Sequence, residues 1–321
     1  FKMASTKMIL DLDTGVDDAL ALALAICDPR VDLIGVIASY GNTLVETSAQ
    51  NTLNLLHLLG ENDVPVYLGE SHSSTTDHFD VMPISKAIHG EHGVGNLSLA
   101  TATRKIEQTS GIQFLIDMAH KYQDELIYVP TGPLTNMAKA LKIDPEISHL
   151  IGNTTLMGGA LTVPGNVTPF TEANINQDPE AADLVFTTQE NLTMVGLDVT
   201  LRTLLTKKDT QQWRELGTQA GTAYADLMDF YIEAYDRLDI DHRGAALHDP
   251  LAVAVAIDPS YVVTIPLNMR VTYDKDTKDY GRTIGDRERL LEPTTTNVAV
   301  SVNAKRFVRD FMDFMIAVLK A

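Results

Sequence analysis

Short apolar runs alternate with longer amphipathic stretches along most of this chain. Short runs bounded by Gly, Pro or Asn are typical of buried strands, and stretches with apolar residues at helical spacing are typical of helices. The pattern predicts strands at Met8–Leu10, Leu33–Ser39, Val64–Leu68, Leu126–Val129, Thr154–Met157, Thr193–Leu197 and Val298–Val302. It also predicts β-hairpin material after Ile265.

Helices are predicted between these strands. They lie at Asp17–Ala25, Leu44–Leu59, Leu134–Leu141, from Asp178 onward, at Ala220–Arg237 and from Phe307 onward. Strands that alternate with helices predict an α/β fold: a Rossmann-like open, mostly parallel sheet flanked by helices, with its site at the carboxyl ends of the strands. Because repeats and low-complexity linkers are absent from the sequence, we expect one domain over residues 3–321. Phe1 and Lys2 are interpreted as residues added ahead of Met3.

Composition narrows the classes of partner. The formal net charge of −18 argues against nucleic acid and anionic membranes, because both bind basic surfaces. The single cysteine excludes a disulfide or a cysteine-based metal site within one chain. Neither a signal-peptide pattern near the start nor a membrane-spanning apolar run is seen in the sequence, so a cytoplasmic protein is expected.

Four aspartates stand within eight residues, directly after the first apolar run: Asp11, Asp13, Asp17 and Asp18. They crowd the turn between the first strand and the first helix, where open α/β sheets bind ligands. A favourable position at a helix start explains one or two of them. The others carry like charges that are costly unless a cation, a proton or ligand hydroxyls compensate. The cluster therefore predicts a binding site.

More polar residues fall where other predicted strands end. These residues are Asn42, Thr131, Asn166, Glu172, Asn174, His248 and Asp249. Oxygen ligands suit Ca²⁺ or Mg²⁺ rather than zinc. A cation beside a carboxylate base can make water hydroxide-like near neutral pH, and Asn and Glu side chains suit sugar hydroxyls.

Two segments lie outside this strand-end pattern. Residues 70–110 form a long, mostly irregular segment that holds His89, and loops of this length are usually functional. Tyr231 and Tyr235 lie one turn apart on one face of a predicted helix. Their spacing alone leaves core and ligand roles equally open.

The chain resembles nucleoside hydrolases of the inosine–uridine-preferring family. Asp11–Asp18 matches the family's acid motif DxDxGxDD. The other matching motifs are Gly41-Asn42, His89-Gly90, Pro130–Asn136, Met157–Gly159, Glu172–Asn174, Asp178–Ala182 and His248–Pro250. They occur in one order from about residue 7 to residue 257.

The resemblance implies an enzyme that hydrolyses the N-glycosidic bond of ribonucleosides of the inosine or uridine type. By analogy, Ca²⁺ is bound by the side chains of Asp13, Asp18 and Asp249 and by the Thr131 carbonyl, and Asp13 is the general base for the metal-bound water. The residues implied to bind ribose are Asp17, Asn42, Asn166, Glu172 and Asn174. Asp11 is expected to support the loop rather than to touch substrate.

On the base side, the resemblance implies that His248 protonates the departing base and that Tyr231 and Tyr235 close over it. His89 is expected to contact the base. Ala173 replaces an aromatic residue that is common in the family, which leaves the base preference open. The resemblance also implies a homodimer or homotetramer and a role in purine and pyrimidine metabolism, such as nucleoside salvage.

Two alternatives remain at this point. Asp11 and Asp13 also fit the Asp-x-Asp start of a haloacid-dehalogenase-type phosphatase, with Asp286 as the nearest candidate for its later acidic motif. That reading leaves Asp17, Asp18 and Asp249 without a role. The other alternative is a non-catalytic, Ca²⁺-dependent protein that binds ribose or nucleosides.

Overall fold

Residues 5–321 are described by a computed structural model, and the predicted domain start at Met3, with Phe1 and Lys2, lies outside them. The strands are β1 (Thr6–Leu12), β2 (Val31–Ala38), β3 (Val66–Leu68), β4 (Leu126–Pro130), β5 (Asn153–Met157), β6 (Leu192–Val195), β7 (Leu204–Leu205), β8 (Ala245–Ala246), β9 (Val262–Leu267), β10 (Met269–Val271), β11 (Thr283–Gly285) and β12 (Thr296–Val302).

The helices cover both faces of the central sheet. They are α1 (Val16–Cys27), α2 (Val45–Leu58), α3 (Pro83–His89), α4 (Gly111–Tyr122), α5 (Thr135–Ile143), α6 (Ile147–Leu150), α7 (Ala173–Gln177), α8 (Pro179–Thr188), α9 (Leu197–Thr200), α10 (Lys207–Arg214), α11 (Gln219–Arg237), α12 (His248–Ile257) and α13 (Ala304–Leu319). Each face of the sheet carries its own buried apolar cluster.

The central sheet has eight strands in the order β3-β2-β1-β4-β5-β6-β12-β9. Every pairing in it is parallel except that of β12 with the edge strand β9. Two small antiparallel pairs, β10–β11 and β7–β8, stand apart from it. The predicted mostly parallel sheet flanked by helices is confirmed.

The centre of the sheet determines where the site lies. β1 is buried on both faces over Met8–Leu12, as expected for a central strand of a parallel sheet. The chain leaves β1 toward β2 on one side, and β4 lies on the other side. The carboxyl ends of β1 and β4 therefore form a topological switch point, and Asp11 pairs in register with Pro130 there.

Several predicted elements differ in detail from those observed. The predicted strand Thr193–Leu197 ends at Val195, because Gly196 caps α9 and Leu197 already belongs to that helix. The hairpin expected after Ile265 is β10–β11, whereas Ile265 itself lies in the edge strand β9. Residues 70–110 are mostly irregular as predicted, but they contain the unpredicted helix α3. Over residues 5–321, the helices are too short or too polar to cross a membrane.

Candidate active site

The acidic residues meet where β1 runs into α1. Asp13, Asp17 and Asp18 are all buried there, and Asp249 joins them from the first turn of α12. One carboxylate oxygen from each of Asp17, Asp18 and Asp249 lies within 4.8 Å of the other two. Asp13 lies close enough for the charge of Asp18 to raise its pKa. The fold thus gathers four carboxylates that come from two distant parts of the sequence.

Hydrogen bonds hold Asp18 in place from several sides. The backbone N–H of Gly15 donates to Asp18 Oδ2 over 2.9 Å, which is the capping interaction expected at a helix start. The Thr131 hydroxyl donates to Asp18 Oδ1 over 2.8 Å, and the Asn42 amide donates to Asp18 Oδ2 over 3.2 Å. β1, β4 and the loop after β2 are thereby tied together at this carboxylate.

Within residues 5–321, Asp13 is hydrogen-bonded at only one of its two carboxylate oxygens. Its Oδ2 accepts the backbone N–H of Asn42 over 2.8 Å, whereas its Oδ1 is buried without a hydrogen-bond partner. Burial and the charge of Asp18 raise the pKa of Asp13 well above its ordinary value. A buried, unpaired carboxylate oxygen beside three more carboxylates fits a hard divalent cation that takes oxygen ligands.

The pKa values of the other cluster members are raised in the same way. Burial, followed by the charge of Asp18, raises the pKa of Asp17 to about 7. Burial and the charge of Asp17 raise the pKa of Asp249. Without a cation, the cluster therefore holds protons near neutral pH to limit its own repulsion.

Asp11 lies outside this arrangement. Its carboxylate accepts hydrogen bonds from the Tyr128 hydroxyl and from the Asn136 amide, the latter over 3.0 and 3.1 Å. Asp11 does not line the cavity described next, and it joins β1 to β4 and α5. This placement agrees with a supporting role and leaves Asp11 badly placed as a nucleophile.

A cavity of about 110 Å³ opens above the carboxylates. Its lining includes all the predicted site residues except Asp13 and Asp18: Asp17, Asn42, His89, Thr131, Asn166, Glu172, Asn174, Tyr231, Tyr235, His248 and Asp249. Asp13 and Asp18 lie beneath it, with 1% and 0% of their surface exposed.

Polar side chains on one wall are fixed by the backbone around α7. Glu172 caps this helix, and its carboxylate accepts the N–H groups of Gly159, Asn174 and Ile175 over 2.9 to 3.1 Å. The Asn174 amide donates to the Thr131 carbonyl over 2.7 Å. The Asn166 Oδ1 accepts the N–H of Ala173 over 2.9 Å. Each of these side chains thus has one part held by the protein.

The opposite wall carries a hydrogen-bonded series of side chains. His248 Nδ1 lies 2.7 Å from the Thr200 hydroxyl, and its Nε2 lies 2.8 Å from the Tyr235 hydroxyl. The hydroxyls of Tyr235 and Tyr231 are 3.2 Å apart. Burial lowers the pKa of His248 to about 4, so the imidazole is neutral at pH 7 in this arrangement.

His89 closes the cavity from the end of α3. Its Nδ1 accepts the N–H of Val16 over 3.1 Å, so its ring proton is on Nε2. Its ring centroid lies 5.4 Å from that of Tyr231. Burial lowers the pKa of His89 to about 3, which makes this second imidazole neutral as well.

Comparisons with known proteins agree with this site geometry. The sequence profile of the family described as "Inosine-uridine preferring nucleoside hydrolase" matches residues 8–309. The chain belongs to this family. The prediction that it is a ribonucleoside N-ribohydrolase is confirmed at this level, and neither the phosphatase nor the binding protein is favoured.

Relatives of this nucleoside hydrolase carry differing substrate names. "Probable uridine nucleosidase 2" from Arabidopsis thaliana is 34% identical, with 96% of each chain covered. "Pyrimidine-specific ribonucleoside hydrolase RihA" from Enterobacter sp. (strain 638) is 34% identical over 94% of this chain and 95% of its own. The structure titled "Purine-Preferring Ribonucleoside Hydrolase from Gardnerella vaginalis" is 52% identical with a TM-score of 0.95, covering 98% of this chain and 99% of that chain.

The cavity of this nucleoside hydrolase is also lined by residues that lie outside the sequence motifs. Met82, Ile84, Ser85 and Ile88 reach the cavity from α3 and its start, and Val167 reaches it from the loop before α7. Pro83 at the first position of α3, with Ile84 and Ile88 four residues apart, is the sequence signal that could have revealed this wall. It gives the cavity an apolar side opposite its carboxylates.

Proposed function

We propose that this enzyme hydrolyses the N-glycosidic bond of inosine- and uridine-type ribonucleosides with Ca²⁺ and with Asp13 as general base. The observation that carries the proposal is the set of four buried carboxylates, Asp13, Asp17, Asp18 and Asp249, at the bottom of a cavity lined by polar side chains. Among the described residues that line this cavity there is neither lysine nor arginine. The site therefore suits a cation together with a neutral sugar.

The residues present fit a calcium ion. Asp13, Asp18, Asp249 and the Thr131 carbonyl supply oxygen ligands, and Asp13 Oδ1 has no hydrogen-bond partner among residues 5–321. When bound, the ion would lower the pKa of a nearby water and hold ribose hydroxyls.

Asp13 accepts the proton of the attacking water in this proposal. Its position supports the role, because Asp13 lies beneath the cavity and its Oδ1 accepts no hydrogen bond from residues 5–321. The water oxygen forms a bond with the anomeric carbon of ribose, and the bond from that carbon to the base nitrogen breaks. The electron pair of the broken bond leaves with the base.

In this proposal, ribose binds between the polar side chains around α7 and the carboxylates at the bottom of the cavity. Asp17, Asn42, Asn166, Glu172 and Asn174 line the cavity with acceptors and donors that suit ribose hydroxyls. The transition state of glycoside hydrolysis carries positive charge on the sugar ring. Carboxylates fixed in advance around the ring stabilise that charge without having to reorganise.

The departing base takes its proton from the His248 side. Negative charge that develops on the base raises the pKa of the neighbouring imidazole, so His248, neutral in the free enzyme, takes up a proton from water and passes it to the base nitrogen as the bond breaks. Tyr235 and Thr200 orient its two ring nitrogens. The apolar wall from α3 packs against the base, and the purine-preferring title of the 52% identical relative leads us to propose inosine ahead of uridine.

We also propose that the domain covers residues 3–321 and that the enzyme forms a cytoplasmic homodimer or homotetramer serving nucleoside salvage. Light scattering of the purified protein measures the oligomeric state. Fractionation of the source cells measures the location.

The experiment that tests the proposed function is release of reducing sugar from inosine, uridine, cytidine and adenosine, with and without a calcium chelator. Release from inosine that is lost with the chelator and regained with Ca²⁺ supports the proposal. Activity that survives complete removal of divalent cations contradicts the calcium role. Release of phosphate from phosphate esters in place of ribose from nucleosides contradicts the reaction itself.

A further inference from the structure

The loop of residues 158–172 joins β5 to α7 and supplies Asn166, Val167 and Glu172 to the cavity. It contains no helix or strand. Its middle part folds on itself through the N–H groups of Asn166 and Val167, which donate to the Thr171 carbonyl over 3.1 and 3.0 Å. At its start, the Gly159 N–H donates to Glu172 of the same loop, and residues 160–162 are bound by groups from elsewhere in the chain.

Asp198 in α9 fixes one side of this start. Its Oδ2 accepts the N–H of Leu161 over 3.0 Å. Its Oδ1 accepts both the N–H and the hydroxyl of Thr162, each over 2.6 Å. Both carboxylate oxygens of Asp198 are thus used on two consecutive loop residues.

Thr283 in β11 fixes the residue just before them. Its hydroxyl accepts the N–H of Ala160 over 3.0 Å and donates to the Ala160 carbonyl over 2.9 Å. Thr283 is 3% exposed and Asp198 is 2% exposed, and neither lines the cavity. Together they hold residues 160–162 from two sides.

The Asp198 carboxylate needs these loop contacts because it is buried. Within residues 5–321, Asp198 takes part in no salt bridge, so its buried carboxylate depends on hydrogen-bond donors. A buried carboxylate is costly unless its oxygens are satisfied, and the donors on Asp198 come from the loop. A shift of residues 160–162 would leave the charge unpaired.

We propose that Asp198 and Thr283 are positioning residues for ribose: they hold loop 158–172 so that Asn166 and Glu172 meet the sugar. The inference rests on the proposed function. Neither residue touches the cavity, so their effect on the reaction passes through the loop. A misplacement of about 1 Å in such a grip can cost about a hundredfold in rate.

The test compares Asp198→Asn and Thr283→Val with wild type, and Thr283→Ser serves as the conservative variant that keeps the hydroxyl. Asp28→Asn is the control for the first change, because Asp28 is equally buried and binds Arg30 rather than the loop. Thr296→Val is the control for the second, because the Thr296 hydroxyl is buried without a partner. Inhibition constants for ribose and for free hypoxanthine are measured with KM and kcat for inosine.

We expect Asp198→Asn and Thr283→Val to weaken inhibition by ribose and to lower kcat/KM by about 10- to 100-fold. The inhibition constant for hypoxanthine should change by less than about twofold, because the Asp198 and Thr283 side chains bond to residues 160–162, whereas His248 bonds to Thr200 and Tyr235. Thr283→Ser should restore wild-type values, and both controls should match wild type.

Parallel losses of ribose and hypoxanthine inhibition, or a lower melting temperature with unchanged kinetics, would overturn the inference. An inactive wild type is a separate result that contradicts the proposed function. In that case direct titration with ribose still tests whether the loop contacts position the sugar.

Discussion

His248 Nε2 lies 2.8 Å from the hydroxyl oxygen of Tyr235, which joins the first residue of α12 to the buried side of α11. The Tyr235 hydroxyl is also 3.2 Å from that of Tyr231. One ring nitrogen of His248 therefore depends on a residue of the neighbouring helix for its orientation. This relationship links α11 to the residue that we propose protonates the departing base.

Tyr235→Phe removes that hydrogen bond and keeps the ring. We expect kcat for inosine to fall by about tenfold to a hundredfold, because the imidazole loses a partner that orients it. For p-nitrophenyl riboside, whose leaving group departs as an anion without a proton, the change should be less than about threefold. Steady-state kinetics on both substrates measure the difference.

Tyr224→Phe is the matched control, because Tyr224 is a buried tyrosine of the same helix whose hydroxyl donates to the Ala19 carbonyl over 3.0 Å. It should leave the ratio of the two rates unchanged. An equal loss on both substrates in Tyr235→Phe would contradict a role for this pair in base departure.

Gly41 leaves the space that the Asp13 carboxylate occupies. Its φ of +149° is one that L side chains rarely adopt, and a Cβ there would lie 2.1 Å from Asp13 Oδ2. We expect Gly41→Ala to displace Asp13, to lower kcat by about a hundredfold and to weaken calcium binding. Calorimetric titration with Ca²⁺ and an inosine assay measure the two effects.

Gly60→Ala controls for backbone strain alone, since Gly60 has a φ of +79° and an added Cβ there would meet nothing within 4 Å. That variant should lose about 1 kcal/mol of stability and keep its activity. Wild-type kinetics in a folded Gly41→Ala protein would show that Asp13 does not act where the structure places it.

Much of this site could be predicted because its residues stand in short motifs at strand ends. Short segments of sequence were enough to predict the strand-to-helix turn after Leu12 and the polar residues after β4. The strand order could not, because it depends on pairing between distant segments such as β12 and β6. Thr283 illustrates the same limit, since it contacts Ala160 across 123 residues of sequence.

Helix α3 was missed for a different reason. It is a single short helix within a long polar segment, so its apolar spacing carries little weight against its surroundings. Its packing against α11 stabilises it, and Arg237 of α11 donates to the Ala87 carbonyl over 2.9 Å. Tertiary contacts of this kind leave no trace in the local pattern.

The acid cluster predicts a pH-dependent stability of the metal-depleted protein. Burial raises the pKa of Asp11 and of Asp17 to about 7, from an ordinary value of 3.8. The folded state therefore binds protons that the unfolded chain releases between these values. The contribution of these bound protons to the free energy of unfolding is complete below the ordinary pKa of 3.8. It is lost as the pH rises through about 7.

In the presence of chelator, we expect a melting temperature a few degrees higher at about pH 5.5 than at about pH 7.5. Added Ca²⁺ should stabilise more at the higher pH, because it then competes with fewer protons. Asp17→Asn should reduce both differences in differential scanning calorimetry. Equal stabilisation by Ca²⁺ at both pH values would contradict binding at these carboxylates.

The central claim is that Asp13 activates the water that cleaves the glycosidic bond. Its most direct test is ribose release from inosine by Asp13→Asn in saturating calcium, with bound calcium and inosine affinity measured on the same sample. We predict a fall in kcat of about a thousandfold in a folded protein that still binds inosine. Turnover within about tenfold of wild type would contradict the claim.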